Sequence, residues 1–136
     1  MGQQQLLLII LGVIVVGIAV AVGITMFSDS AINANRDALS NDLVNLASRA
    51  QQFYRRPTSL GGGGNSFTLL TSSQISLLTN KPTNANGSYW IETGGSGTGT
   101  AAFLVIKGLG NEIYNGSPVA VHVYVYPDHD SMAVVN

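Results

Sequence analysis

The chain opens with a long, uninterrupted apolar run. Residues Leu6–Phe27 read LLLIILGVIVVGIAVAVGITMF, 22 positions without a charged side chain, and the first charge in the sequence is Asp29. A helix of about 20 apolar residues spans the hydrocarbon layer of a bilayer, and this run has no polar face for water to contact. The pattern therefore predicts a helix that lipid, or further copies of the same helix, must surround.

The pattern changes after Ser28, where the helix acquires a polar face. Residues 28–56 contain neither Gly nor Pro, and their apolar positions recur with a period close to that of a helix. These positions are Ile32, Leu39, Leu43, Leu46, Ala50 and Phe53. Pro57 disfavours helical geometry at the residue before it and is expected to end the helix. We therefore expect one helix over residues 3–56, about 80 Å long, apolar on all sides in its first half and on one side in its second.

Beyond residue 56 the chain reads as loops and short strands. A crossover loop is expected over residues 57–66, and its four glycines, Gly61–Gly64, indicate flexible chain. Apolar and alternating runs predict strands at Phe67–Leu70, Ser88–Glu92, Ala101–Lys107, Pro118–Tyr126 and, at an edge, Met132–Val135. Residues Gln74–Leu78 fit either a short strand or a helical turn.

Turn signals separate these strands. The glycine-rich stretch Thr93–Thr100 and the dipeptides Asn86-Gly87 and Asn115-Gly116 favour turns between antiparallel neighbours. The expected fold class is α+β, in which the apolar stripe of the long helix packs on a small antiparallel sheet within residues 67–136. We divide the chain into an apolar segment, 1–28, and a globular head, 29–136.

Composition excludes several classes of function. Charged residues make up 10% of the chain and the net charge is −1, which leaves no electrostatic footprint for nucleic acid. The chain has no cysteine, so disulfides, thiolate metal sites and cysteine nucleophiles are excluded. The first five residues, MGQQQ, lack both the basic region of a secretory signal and the Lys or Arg that usually flanks an anchor. We expect a processed product whose basic leader has been removed, and an ordinary membrane anchor is the alternative.

Three glycines, Gly12, Gly17 and Gly23, punctuate the apolar helix. Their spacings of five and six residues do not form the GxxxG motif of helix dimers. They indicate either ordinary transmembrane glycine usage or a helix that packs against many copies of itself and can loosen locally. The sequence leaves both interpretations open.

No arrangement of residues in the sequence is convincingly catalytic. His122 lies in an alternating strand, where we expect a half-buried or surface histidine. His129 lies between two aspartates, but two carboxylates fall short of the six or more oxygens that Ca²⁺ prefers, so we expect a solvated turn and no metal. Glu92 and Glu112 have no evident partners, and the glycine run lacks the Lys-Ser/Thr of a phosphate loop. The sequence predicts a protein that is not an enzyme and holds no cofactor.

Surface modification is the remaining chemistry that short motifs indicate. Asn86 and Asn115 begin N-glycosylation sequons in expected turns, and Ser30 and Ser131 lie in triplets that resemble a bacterial O-glycosylation motif. A set of aromatic residues forms either an exposed adhesive surface or part of the sheet core, and core packing together with cross-strand pairing is the expectation. The set is Tyr89, Trp90, Tyr114, Tyr124 and Tyr126.

The combined layout resembles the type IV pilins and the related pseudopilins. The resemblance is carried by the apolar helix that starts almost at residue 1, by NRDALSNDLVNLASRAQQFYRR (35–56) and by PTSLGGGGNSF (57–67). It covers the helix well and the sheet by architecture. In that family a basic leader is cut after a glycine and the new first residue is methylated. The resemblance implies Met1 as the methylated residue, or Gln3 as the first residue if the cut follows Gly2.

The resemblance also implies a function. The chain is expected to be a major pilin that inserts in the inner membrane, meets a prepilin peptidase and the pilus assembly machinery, and polymerises with itself into an extracellular filament on a bacterial cell. Such a filament would serve adhesion, motility or DNA uptake. The contacts between copies are expected at Met1, Gln5, Leu6, Gly12, Gly17, Gly23 and Phe27. The alternatives are a pseudopilin of a type II secretion-like system and a membrane-anchored surface binding domain.

One residue departs from the family pattern. The fifth mature residue is usually a glutamate that pairs with the N-terminal amine of a neighbouring subunit, and here that position is Gln5. Glutamine avoids the cost of a buried charge and still accepts a hydrogen bond from an amine. Together with Gln3 and Gln4 it supplies three amides at the end of a helix bundle. Charge pairing at this position is therefore not expected, and Gln5 favours the pseudopilin and archaeal-type members.

Overall fold

The computed structural model describes residues 1–96 and 102–136, and its first element is one long helix. This helix, α1, runs from Gly2 to Arg55, a length of about 80 Å for its 54 residues. It ends because Arg56 is extended, with φ −72° and ψ 133°, immediately before Pro57. The helix predicted from periodicity is confirmed to within one residue at each end.

The four glycines after α1 form an ordered cap of the helix. The N–H of Gly63 donates to the carbonyl of Phe53 (2.8 Å), and the N–H of Gly64 donates to that of Arg56 (2.9 Å). Gly61 and Gly64 have φ of +75° and +57°, a region that glycine enters without steric cost. The prediction of flexible chain is therefore wrong here, since these residues satisfy the carbonyls at the end of α1.

The segment Phe67–Leu70 is a turn and not the predicted strand. The N–H of Leu70 donates to the carbonyl of Phe67 at 2.9 Å, and both side chains are fully buried. A short apolar run does not by itself distinguish a strand from a loop that fills the core. For Gln74–Leu78, the structure settles the two alternatives in favour of a helical turn, a 3-10 helix at Ile75–Leu77.

Four antiparallel strands follow in the order β1-β2-β3-β4. Their bounds are Gly87–Ser96 for β1, Phe103–Tyr114 for β2, Ser117–Val125 for β3 and Asp130–Val134 for β4. Each contains most of a predicted strand, and the position of β4 at the edge is confirmed. Residues 97–101 lie outside the described residues, and with them the end of the predicted turn Thr93–Thr100 and the start of the strand predicted at Ala101.

The turns on either side of these strands have identifiable causes. Asn115 and Gly116 join β2 to β3 with φ of +49° and +79°, which fits the Asn-Gly signal of a tight hairpin. Before β1, the side-chain oxygen of Asn84 accepts the N–H groups of Asn86 (2.8 Å) and Gly87 (3.2 Å). Both predicted Asn-Gly turns are confirmed.

The core lies between α1 and the inner face of the sheet. α1 packs on β2 and β3. Side chains from its apolar stripe are buried there with alternate strand residues, among them Leu39, Leu43, Ala50, Ile91, Leu104, Ile106, Val121, Val123 and Val125. Gly110 allows the close approach, because a Cβ at this position would overlap Asn35 Oδ1 and come within 3.1 Å of Leu39 Cδ1. The head is thus held by apolar burial, while the first half of α1 extends beyond it.

Candidate assembly surface

The first half of α1 makes no packed contact with the rest of the described chain. Residues 1–30 are all exposed, and the large apolar side chains between Leu6 and Phe27 expose between 50% of their area at Val22 and 79% at Phe27. By length and composition this part of α1 can cross a membrane. Soluble monomers rarely expose apolar patches larger than a few hundred Å². This surface therefore requires a partner, either lipid or protein.

The glycines of this segment face open space. No heavy atom lies within 4 Å of the position that a Cβ would occupy at Gly12, Gly17 or Gly23. Glycine in a helix interior costs about 1 kcal/mol relative to alanine in water, so packing within this chain does not explain them. A glycine does allow the backbone of a neighbouring helix to approach closely.

The N-terminal end of α1 presents polar groups without internal partners. Met1 is fully exposed and gives no side-chain cap, and the first turn contains no acidic residue. The first N–H groups of a helix have no intrahelical acceptor and carry partial positive charge. Gln3, Gln4 and Gln5 are exposed beside them. An amide oxygen of Gln5 from another copy is chemically suited to these donors.

A carboxylate on α1 fixes the loop that precedes β1. Oδ2 of Asp42 accepts hydrogen bonds from the Tyr89 hydroxyl (2.5 Å) and from the Nδ2 atoms of Asn84 and Asn86 (both 2.9 Å). Partial burial pushes the pKa of Asp42 upwards, but these three hydrogen bonds outweigh it and hold the pKa below its usual value. Burial, together with the hydrogen bond and charge of Asp42, raises the pKa of Tyr89. Asp42 is therefore ionised at neutral pH.

Beside Asp42 lies a half-open cleft of about 370 Å³ between α1 and the segment 79–84. Arg49 and Lys81 border it, and both side chains are exposed. Arg49 donates from Nη1 to the carbonyl of Leu78 (3.0 Å). Among the described residues neither cation forms an ion pair. A second cleft, of about 200 Å³, continues along α1 past Arg49 to Arg56.

The outer face of the sheet carries several polar aromatic contacts. Trp90 donates from Nε1 to Glu92 (2.9 Å), and the Lys107 ammonium lies 3.8 Å from the same carboxylate and 5.6 Å from the Trp90 ring centre. The expectation that Glu92 has no partner is therefore wrong. His122 is opposite Lys107 on β3, and burial, assisted by the Lys107 charge, lowers its pKa.

The aromatic residues singled out in the sequence are divided between core and surface. Tyr89 is buried in the core, as expected. Trp90 and Tyr124 are half-exposed on strand positions that alternate with buried ones, and Tyr126 is half-exposed directly after β3. The Tyr114 ring packs 4.8 Å from the Arg36 guanidinium carbon. An assignment of the whole set to the core is therefore wrong for most of its members.

The candidate modification sites differ in accessibility. The Nδ2 atom of Asn86, which would carry an N-linked glycan, is engaged with Asp42 and is part-buried. Asn115 is exposed in the β2–β3 turn, and Ser30 and Ser131 are exposed on α1 and β4. The structure thus offers Asn115 as the more accessible of the two sequons.

The turn between β3 and β4 holds the second histidine. The Nδ1 atom of His129 lies 2.7 Å from Asp128 Oδ1, and its ring stacks on Tyr126 with centres 4.5 Å apart. The hydrogen bond from His129 is the main reason that the pKa of Asp128 is lowered. No group of three or more metal-ligating side chains converges within residues 1–96 and 102–136.

The fold and its surfaces were also compared with known proteins. No family model, curated protein or solved structure matches the chain. The layout that is shown is a long apolar N-terminal helix that continues into the core of an α+β head. Its function has to be argued from that layout.

Proposed function

We propose that this chain is the structural subunit of an extracellular helical filament of the type IV pilus kind, built on a bacterial cell surface from many copies of the chain. The observation that supports the proposal is that α1 continues without a break from the apolar segment into the head. One helix is fully exposed and apolar over Leu6–Phe27, and the same helix is the core element of the head from Ile32 to Phe53. A rigid apolar stalk fused to a globular head is the form that a filament subunit requires.

Assembly is then a change of surroundings for the apolar half of α1. The helix first lies in lipid and then joins a bundle of identical helices, so its apolar area stays out of water in both states. Packing between helices decides the direction of this exchange, and Gly12, Gly17 and Gly23 present open positions for close contact. A contact that repeats along an axis without closing gives a fibre.

The continuity of α1 also bears on the rival proposal of a membrane-anchored binding domain. Such domains are commonly joined to their anchors by flexible, polar linkers, whereas residues 28–31 of this chain are helical without interruption. Gln5 in place of the usual glutamate supports a second candidate within the family. In that case the chain is a pseudopilin, which forms a short fibre in a type II secretion-like system.

Electron microscopy of material sheared from the surface of cells that express the chain tests the proposal. The expected result is a helical polymer that contains this chain as its main component. Fibres that appear only inside the envelope, and only on overexpression, would support the pseudopilin instead. A chain that stays monomeric in detergent and never forms fibres in cells would contradict both and leave the anchored domain.

A further inference from the structure

Charge is distributed unevenly along the long axis of the molecule. Asp29 and Asp37 are exposed on α1. Glu112 is exposed on β2, two residues before Tyr114, and the Tyr114 ring packs against Arg36, the neighbour of Asp37 on α1. Among the described residues none of these three acids has a cationic partner within 4 Å. Arg36 lies beside Asp37 and borders the same surface cleft as Asp29, so this end of the head carries three unpaired carboxylates and one cation.

The opposite end of the head presents free cations. Arg49, on α1, and Arg56, directly after its end, border the second cleft, and Lys81 borders the first cleft together with Arg49. These three are half of the six Lys and Arg side chains in the chain. Arg55 is not counted with them, because its guanidinium lies at the carbonyl of Pro127 (3.2 Å), next to the Asp128 carboxylate on which its charge acts.

Asp42 also lines the larger cleft and is ionised, so it offsets part, but not all, of the positive charge of Arg49 and Lys81. Asp42 directs Oδ2 to the neutral donors Tyr89, Asn84 and Asn86. Within residues 1–96 and 102–136, no carboxylate lies within 4 Å of the Arg49 or Lys81 charge. Two exposed cations beside an open polar cleft constitute a receptor for carboxylate groups.

We propose that the basic clefts bordered by Arg49, Arg56 and Lys81 receive the acidic segment around Asp29 and Asp37 of a second copy of the chain, displaced along the filament axis. The inference rests on the proposed function, and it adds the partner and the direction of the contact. The occupant is a second copy because the complementary charges are carried by the chain itself, at the other end of the same helix.

The positions of the charges set the displacement. Two parallel copies in register place acids beside acids and cations beside cations. Asp37 and Arg49 are twelve residues apart on α1, about 18 Å at the helical rise, and Asp29 and Arg56 are about 40 Å apart on the same scale. A shift of roughly 20–40 Å therefore brings opposite charges together and gives a heterologous contact that does not close.

Charge variants of the full chain, assembled in cells and sheared, test the inference. Lys81→Gln is compared with Lys107→Gln, since each removes one lysine charge but Lys107 lies on the outer face of the sheet, paired with Glu92. We expect the amount of polymer that sediments to be about threefold lower for Lys81→Gln than for Lys107→Gln. The double charge reversal R49E/K81E is expected to lower the amount of sedimenting polymer about tenfold or more.

The decisive variant exchanges the charges. Adding D29K/D37K to R49E/K81E is expected to restore the polymer to wild-type amount, whereas D29K/D37K alone reduces it. In 1 M NaCl the difference between variants and wild type is expected to shrink, because salt screens exposed pairs. Circular dichroism of the detergent-solubilised monomers confirms that each variant is folded.

Three results would overturn the inference that the basic clefts receive the acidic segment of a second copy. Polymer from a folded R49E/K81E variant in wild-type amount would overturn it, and so would failure of the charge exchange to restore assembly. Stoichiometric binding of inorganic phosphate to the solubilised monomer, with assembly indifferent to the reversal, would assign the cleft to small anions and also overturn it. Absence of polymer from the wild-type chain would instead contradict the proposed function itself.

Discussion

At the scale of single residues, Asp42 joins two parts of the chain that are far apart in sequence. Its partners Asn84, Asn86 and Tyr89 lie 42 to 47 positions away. A charged acceptor makes stronger hydrogen bonds than a neutral one, so one oxygen holds the loop before β1 against α1. A further bond from Asn35 Nδ2 to the carbonyl of Asn86 (2.9 Å) ties the same loop to the helix.

Replacing this carboxylate tests its structural role. We expect Asp42→Asn to lower the free energy of unfolding by about 1–2 kcal/mol, because the charge-assisted bond to Tyr89 is lost while partial solvent contact limits the effect. Asp37→Asn is the matched control on the exposed side of α1 and is expected to stay within about 0.5 kcal/mol. Thermal unfolding of the full chain in detergent measures both, and equal stabilities would contradict the role.

The same group makes stability depend on pH in a defined window. Asp42 has a lowered pKa, so its contribution is present above the ordinary value of 3.8 and is lost as pH falls through the lowered pKa. Tyr89 has a raised pKa, so its contribution is present below the ordinary value of 10.0 and is lost as pH rises through the raised pKa. We expect Asp42→Asn to flatten the acid limb of the melting-temperature profile, and an unchanged acid limb would count against this assignment.

Little at this scale could be predicted from the sequence. Asp42 lies at the border of the apolar stripe, where an exposed aspartate is ordinary, and no periodicity connects it with an asparagine-rich loop. The pairing of Glu92 with Lys107 could not be predicted for the same reason, since Lys107 reaches Glu92 only through the register of two strands. Contacts that depend on long-range register leave no local pattern.

At the scale of elements, long patterns predicted well and short ones poorly. The helix was placed almost to the residue because its signal extends over 50 positions and Pro57 fixes its end. The strand predicted for the four-residue run Phe67–Leu70 is wrong, because its apolar side chains fill the core from a turn. The strand predicted at Ala101–Lys107 ends too early, since β2 continues through Gly108 and Gly110 to Tyr114.

Those glycines in β2 have a steric reason that can be tested. A Cβ at Gly110 would overlap Asn35 Oδ1, and one at Gly108 would lie 3.0 Å from the Tyr89 ring. We expect Gly110→Ala to lower the free energy of unfolding by about 1–3 kcal/mol, because the Asn35 side chain must move and lose its bond to the Asn86 carbonyl, and Leu39 must give way. Gly17→Ala, which meets no atom of this chain, serves as the control and is expected to leave the unfolding of the head unchanged in detergent.

At the scale of the whole molecule, the chain combines a head with a core of its own and an apolar segment that needs lipid or protein around it. The head buries its stripe of α1 internally and is complete without a partner on that face. The segment Leu6–Phe27 buries nothing within the chain, so its stability depends wholly on its surroundings. One continuous helix joins the two regions, so the surroundings of the apolar half bear directly on the position of the head.

Under the proposed function, this difference predicts what surrounds the apolar half in the membrane and in the filament. With a photoreactive residue in place of Ile14, we expect cross-links to lipid in the membrane-inserted pool and to a second copy of the chain in sheared surface material. The same probe in place of Leu77, which is half-exposed on the head, reports whether the head meets lipid in either pool and is expected to give no lipid adduct. Lipid adducts at Ile14 in the sheared material, without any adduct between copies, would mean that the helix is a solitary anchor, because a side chain inside a helix bundle has protein and not acyl chains within reach.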